Sequence, residues 1–268
     1  MKPGTNGHGH SGPVARSAAQ ARSDAQSRSG DLASLYPFLY SHPDHPGADH
    51  PETPDLEAVL TEVRRSTVDK VHQIVALRRE VLGRDGRRLA ACASAMAASF
   101  ATGGRLFAIG NGGSCTDAAD LASLFLYPGP GRQALPAFAL AGDIAVLTAL
   151  SNDVSFDVVF ARQIAAFGRR GDVVVGLSTS GNSTNLVRAF EEAGRRGLLT
   201  VGLAGYDGGA MAELGSIDHL FVVPSDSVHR IQEAQTTIYH TLWELTLDEL
   251  TSRKRHPERE SDRRSLVE

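Results

Sequence analysis

Four hydroxyl-bearing residues, Ser178, Thr179, Ser180 and Ser183, surround Gly181 and Asn182 in the stretch VVVGLSTSGNSTNL, where an apolar run stops and a helical pattern begins. Hydroxyls and unpaired backbone N–H groups at a helix start, favoured by the helix dipole, bind phosphate without a cationic side chain. A second stretch, AIGNGGSCTD from Ala108 to Asp117, has related chemistry. Its Gly110, Gly112 and Gly113 let the backbone turn tightly and approach a ligand, and Ser114 is placed to cap the helix that follows. Both loops read as cradles for an anion; helix capping by the same serines is the competing reading for either loop alone. Two such loops in one sheet favour the anion. Other glycine-rich explanations fail on spacing. A dinucleotide fingerprint needs glycine where Cys115 stands, and a nucleotide P-loop needs a Gly-Lys pair that the sequence never contains. No nucleotide cofactor is expected.

Loops of this kind need strands that end and helices that begin at the right places. Short apolar runs, RLFAIG, ALPAFALA, DVVVGLS, LLTVGLA and HLFVVP, alternate with helical segments after residue 100. Near-continuous apolar strands alternating with helices predict an α/β architecture, a parallel sheet covered on both faces. Ligands of such sheets bind beyond the carboxyl ends of the strands, which is where both loops fall. Upstream, Leu56, Val59, Leu60 and Val63, then Val71, Ile74, Leu77 and Val81, recur at helical spacing, and GRDG at Gly83 to Gly86 interrupts the pattern. Two amino-terminal helices are expected, and a long final helix from roughly Ser227 to Arg253 closes the domain.

The chain has 268 residues, 41% of them hydrophobic, enough for one sizeable core. A formal charge of −4 gives no electrostatic reason to expect nucleic acid or an anionic membrane as partner. Only two cysteines, Cys92 and Cys115, are present, which fits a reducing cytoplasm. No run of 18 or more apolar residues occurs, so a membrane span is not expected. Residues 1–54 are rich in Gly, Ser, Ala, Pro and His, a composition expected to stay mostly disordered. Within this arm, DLASLYPFLY (residues 31–40) offers Leu32, Leu35, Tyr36, Phe38 and Leu39 for docking on its own domain, a sister subunit or a protein partner. His8, His10, His42, His45 and His50 also fall there and read as solvated, because Gly and Pro spacing fixes no coordination geometry. The folded domain is placed at residues 55–253 and a charged tail at 254–268.

GNGGS, SND, GLSTSGNS and RIQE, in this order, resemble the sugar isomerase (SIS) domain in its phosphoheptose isomerase branch, from about Asp55 to Leu250. The resemblance implies a three-layer α-β-α sandwich with a five-stranded parallel sheet. It also implies a homo-oligomer, a tetramer or a dimer, with active sites between subunits. Members of the family include isomerases of sedoheptulose 7-phosphate and non-catalytic relatives that bind the replication initiator protein. Carried over by position, Ser114, Ser178, Thr179, Ser180 and Ser183 fall on phosphate-binding residues, with Gly112 in the same loop. Asn111 and Asp153 fall on residues that contact the sugar chain. In the family the last helix supplies a glutamine and a histidine as zinc ligands, the histidine also serving acid–base work, and Gln232 and His240 match them. Without the family, His240 beside apolar positions reads as a core histidine.

The helix after GNGGS departs from the pattern. Asp120 takes a ligand histidine's position, Leu124 that of the glutamate that is ligand and general base, and Gln235 stands where the final helix has another histidine. Ketose-to-aldose conversion moves a proton from C1 to C2 through an enediolate, and needs a base within reach and an electrophile for the oxyanion. Asp120, Asp117, Glu233 or His240 are the candidates to replace the lost base, with His240 and Asp120 as the catalytic pair. Asp120, Gln232 and His240 are the set left to hold zinc. Three functions are therefore carried forward. One is an aldose–ketose isomerase acting on sedoheptulose 7-phosphate or a similar sugar phosphate. Another is a sugar-phosphate-binding or regulatory protein that has lost catalysis and works through protein partners. The last is an enzyme whose pocket suits a different sugar phosphate.

Overall fold

The computed structural model describes residues 56–255, and residues from Leu60 onward form one compact unit. The docking segment 31–40, the five arm histidines and most of the charged tail lie outside the described residues. Ile74, Leu77, Val81, Leu89, Cys92, Met96 and Phe100 are buried at three- and four-residue spacing along a single helix, α1 (Leu56–Ala101). The two helices expected on either side of GRDG are thus one. Each helical glycine costs on the order of 1 kcal/mol relative to alanine, a local penalty that the buried stripe overrides. Asp85 lies in that stripe, fully buried. Its carboxylate accepts from Arg84 at 2.6 Å and Arg88 at 2.7 Å. Those guanidinium groups donate onward to the backbone carbonyls of Val222 and Leu220, the latter at 2.6 Å.

After α1 the chain alternates strand and helix: β1 (Leu106–Gly110), α2 (Gly113–Leu126), β2 (Ala137–Ala139) and α3 (Ile144–Asp153). A 3-10 turn at Phe156–Val158 leads into α4 (Val159–Phe167), β3 (Val173–Ser178) and α5 (Thr184–Arg196). Then come β4 (Leu199–Gly205), α6 (Gly209–Glu213), β5 (His219–Val223) and α7 (Val228–Arg255). The five apolar runs read from the sequence are the five strands. All pair in parallel in the order β2-β1-β3-β4-β5, with Leu106 opposite Ala137 and Val173, and Val201 opposite His219. Every residue of β1 and β3 is buried, as strands covered on both faces require.

Two apolar clusters sandwich this sheet. Leu106, Ala108, Val175, Leu177 and Leu203 pack with α1, α2 and α7 on one face. Phe107, Ile109, Val174 and Ala204 pack with α4, α5 and α6 on the other. The three-layer α-β-α sandwich is therefore observed. β5 closes one edge, and the arginines of α1 satisfy two of the carbonyls it would otherwise present to a foreign strand.

Candidate functional site

The sheet order changes direction at β1: α2 leaves it for one face, whereas β3, its neighbour, sends α5 to the other. The crevice beyond the carboxyl ends of these two strands is where doubly wound sheets bind ligands. Both loops singled out in the sequence open there.

The β3–α5 loop is built around its own hydroxyls. Ser178 Oγ accepts from the Gly181 N–H at 3.0 Å and lies 3.3 Å from Ser183 Oγ. Ser180 Oγ accepts from the Asn182 N–H at 3.2 Å. Ser183 is the residue before α5, yet its hydroxyl makes no capping hydrogen bond. Capping by Ser183 does not explain these hydroxyls; the Leu186 and Val187 N–H groups donate to Ser183 O, which leaves those of Thr184 and Asn185 at the start of α5 to join the hydroxyls around an anion. Gly181 has a φ of 67°, and a Cβ there would meet Gly208 O at 1.9 Å, so only glycine fits. The start of α6 forms the floor: the Met211 N–H donates to Gly181 O at 3.0 Å, and the Ala210 N–H to Asn182 Oδ1 at 2.8 Å.

In the β1–α2 loop the helix begins two residues earlier than expected. Gly112, with φ 54°, is its cap residue, and Ser114 lies buried inside the first turn instead of capping it. Gly113 leaves room for Gln232, whose Nε2 would be 2.3 Å from a Cβ at that position. Asn111 exchanges two amide hydrogen bonds with Asn185, each 2.9 Å. Asp153 ends α3 on the surface, and its hydrogen bond, at 2.8 Å, comes from Asn152 and not from either loop.

α2 and α7 pack side by side and bring the titratable groups together. Tyr239 donates its hydroxyl proton to Asp120 Oδ2 at 2.8 Å, and His240 Nε2 lies 3.5 Å from the same oxygen. The His240 ring stacks on Tyr239, with centroids 5.1 Å apart, and meets Trp243 edge-on at 6.3 Å. Arg132 sits over the Trp243 ring at 5.0 Å. His240 is thus half-exposed beside a carboxylate, not a core histidine. Burial pushes the Tyr239 hydroxyl well above its usual range, so it stays a proton donor. Asp117 accepts a long bond, 3.4 Å, from Gln232 Nε2. Burial, opposed by that bond and assisted by the Asp120 charge, moves the Asp117 carboxyl upward.

Of Gln232, His240 and Asp120, the set left to hold zinc, two are in contact and the third is engaged by another residue. Asp120 and His240 are neighbours, but the Gln232 amide is turned to Asp117. Leu124 packs against the apolar cluster with Trp243, and Gln235 is fully buried, its Nε2 3.5 Å from Ser178 O. No group of three His, Cys, Asp or Glu side chains suited to a metal occurs among the described residues. A tetrahedral zinc needs at least three protein donors around one point, and this donor set does not fit one.

Sequence reasoning missed Tyr239, Asn185 and the Arg132–Trp243 pair. Tyr239 looks like any core aromatic on an amphipathic helix. Asn185 did carry a signal, being an amide on the buried face of α5 among Leu186, Ala189 and Phe190.

A family model described as the SIS domain matches residues 71–205. Phosphoheptose isomerase of Nitratidesulfovibrio vulgaris is 42% identical over 186 residues, 69% of this chain and 88% of its own. That of Geobacter sulfurreducens is 44% identical over 174 residues, 63% of this chain and 87% of its own. Among solved structures, phosphoheptose isomerase GmhA from Neisseria gonorrhoeae superposes with a TM-score of 0.64 at 32% identity, over 69% of this chain and 98% of that one. A phosphoheptose isomerase from Francisella tularensis gives 0.60 at 31%, over 68% and 98%.

Proposed function

The chain belongs to the SIS domain family, and from that membership and the chemistry of the cleft we propose that it is an aldose–ketose isomerase of sedoheptulose 7-phosphate or a closely similar sugar phosphate. The observation that carries this is the pair of loops at the switch point, one with a helix-start serine that caps nothing, together with an Asp120–His240 pair on the helix that leaves the other loop and its neighbour α7. Both relatives and both solved neighbours named above are phosphoheptose isomerases.

In this reading the hydroxyls of Ser114, Ser178, Thr179, Ser180 and Ser183 and the N-terminus of α5 bind the phosphate, with Gly112 keeping the backbone close. Asn111, Asp153 and Gln232 contact the sugar chain. His240 takes the proton from C1 of the ketose, and the C2 oxygen gains one, giving the enediol. Return of a proton to C2 and loss of the O1 proton complete the aldose. Asp120 stabilises the imidazolium that forms in the first step, and the Tyr239 hydroxyl fixes the carboxylate. Asp117, its carboxyl moved upward by burial, is suited to carry the second proton. No step is routed through zinc, because the ligand set does not fit it.

Leu124 in the glutamate's place, and Asp120 and Gln235 in those of histidines, favour a binding protein without catalysis; the contact of Asp120 with His240 weighs against that reading. We place the sugar-phosphate domain at residues 55–253, with the arm 1–54 and the tail 254–268 outside it. A homo-oligomer, a tetramer or a dimer, is supported by Leu60, Val63, Val68 and Val71, all exposed on α1. A cytoplasmic location is supported by the free cysteines among the described residues. No helix among the described residues is long and apolar enough to cross a membrane.

Incubation with sedoheptulose 7-phosphate, with and without added zinc, should yield aldose above a buffer blank, and absence of product under both conditions would refute isomerisation. His240→Ala and Asp120→Asn should each lower kcat on the order of 10²-fold. Stabilisation of the fold by inorganic phosphate should survive both changes.

A further inference from the structure

One pair of side chains bridges the crevice between β1 and β3. Asn111, the first residue after β1, donates Nδ2 to Asn185 Oδ1 at 2.9 Å, and Asn185 Nδ2 donates to Asn111 Oδ1 at the same 2.9 Å. Asn185 is the second residue of α5 and only 2% exposed, whereas Asn111 is half-buried. A primary amide has two N–H donors and two acceptor lone pairs. The reciprocal pair uses one of each on both residues, which fixes the plane of the Asn111 amide and leaves its second donor and second acceptor for the crevice. Flipping either amide alone would set N–H against N–H and oxygen against oxygen, so each orientation is dictated by the other.

Packing alone gives no reason for an amide at position 185. The rest of the buried face of α5, Leu186, Ala189, Phe190 and Ala193, is apolar. The internal bonds of the phosphate cradle do not use Asn185: they run from Gly181 to Ser178, from Met211 to Gly181 and from Ala210 to Asn182. Asn185 ties that cradle to the loop of the neighbouring strand, whose helix departs to the opposite face of the sheet.

We propose that Asn185 is a positioning residue of the isomerase, acting through Asn111: it holds the Asn111 amide across the switch point so that its remaining donor and acceptor engage the oxygens of the reacting end of the sugar. The inference rests on the reading of the crevice as a sugar-phosphate site. It separates two jobs in one cleft. The cradle grips the phosphate, and the amide pair sets the distance and angle from there to C1 and C2, where small misplacements are costly.

The test is a double-mutant cycle on the full-length protein with Asn185→Leu, Asn111→Ala and their combination. Asn185→Leu should lower kcat/KM for sedoheptulose 7-phosphate about 10-fold or more, chiefly in kcat. In the Asn111→Ala background the same change should matter less than about 2-fold, since a residue acting through another has nothing left to orient. Stabilisation by inorganic phosphate should be the same in wild type and Asn185→Leu. Losses that multiply in the double variant, or an Asn185→Leu protein within about 2-fold of wild type, would overturn the proposal. Should the leucine variant lose cooperative unfolding, Asn185→Ser gives the same readouts. If wild type turns nothing over, the isomerase reading fails separately. The amide pair is then read from binding: the preference for sedoheptulose 7-phosphate over inorganic phosphate should fall about 10-fold in Asn185→Leu, and an unchanged preference overturns the role.

Discussion

Asp117 shows how a single carboxyl registers the cost of building this cleft. Its pKa is raised above the ordinary aspartate range, chiefly by burial and further by the Asp120 charge, against the opposing bond from Gln232. A carboxyl whose folded pKa lies above its unfolded one withdraws stability as pH rises through the folded value. Below the unfolded pKa both states are protonated and nothing is lost. Asp117→Asn keeps an acceptor for Gln232 and removes the charge. Its Tm should exceed that of wild type at about pH 7 and match it near pH 3. A variant less stable than wild type at neutral pH would show that the ionised carboxylate is held by a favourable partner. Turnover should fall at the same time if Asp117 carries the second proton, a trade of stability for function expected of groups that move protons.

Glycine does opposite things in two elements of this chain. Gly83 lies in the middle of α1 with nothing within 4 Å of a Cβ built upon it. Gly83→Ala should therefore stabilise the helix by roughly 0.5–1 kcal/mol, read as a rise in Tm or in the denaturant midpoint. Gly181 combines a φ of 67° with a Cβ position 1.9 Å from Gly208 O. Gly181→Ala must displace the β4–α6 loop or the β3–α5 loop, and should cost more than about 2 kcal/mol. It should also abolish stabilisation by phosphate. The same contrast explains why GRDG reads as a helix break in sequence. Glycine is permissive in both settings, and only the neighbours say whether the helix continues: Ile74, Leu77 and Val81 on one side, Leu89, Cys92 and Met96 on the other, with Asp85 between them held by two arginines.

At the scale of the molecule, α1 exposes Leu60 at 37%, Val63 at 55%, Val68 at 51% and Val71 at 53%, a row of apolar side chains at helical spacing. A second copy of the chain is the proposed cover. Val63→Glu should lower the mass measured by light scattering toward that of one chain, while the sheet domain keeps its cooperative unfolding; an unchanged mass would argue against α1 as the interface. The sheet, the succession of its strands and helices along the chain, and the two loops at the carboxyl ends of β1 and β3 were legible from the sequence alone. Hydrophobic period and loop chemistry are local properties, and residues such as Val173 to Ser178 carry them within one element. What the sequence could not hold is what depends on elements meeting. The Asn111–Asn185 pair spans 74 residues, the Tyr239–Asp120 bond 119 and the Arg88 bond to β5 132. Position in the chain says nothing about such distances until a sheet brings β1 beside β3 and a core sets α2 against α7. From helical spacing alone His240 reads as a core histidine; the family resemblance paired it with Asp120, and the packing of α2 on α7 sets the two 3.5 Å apart.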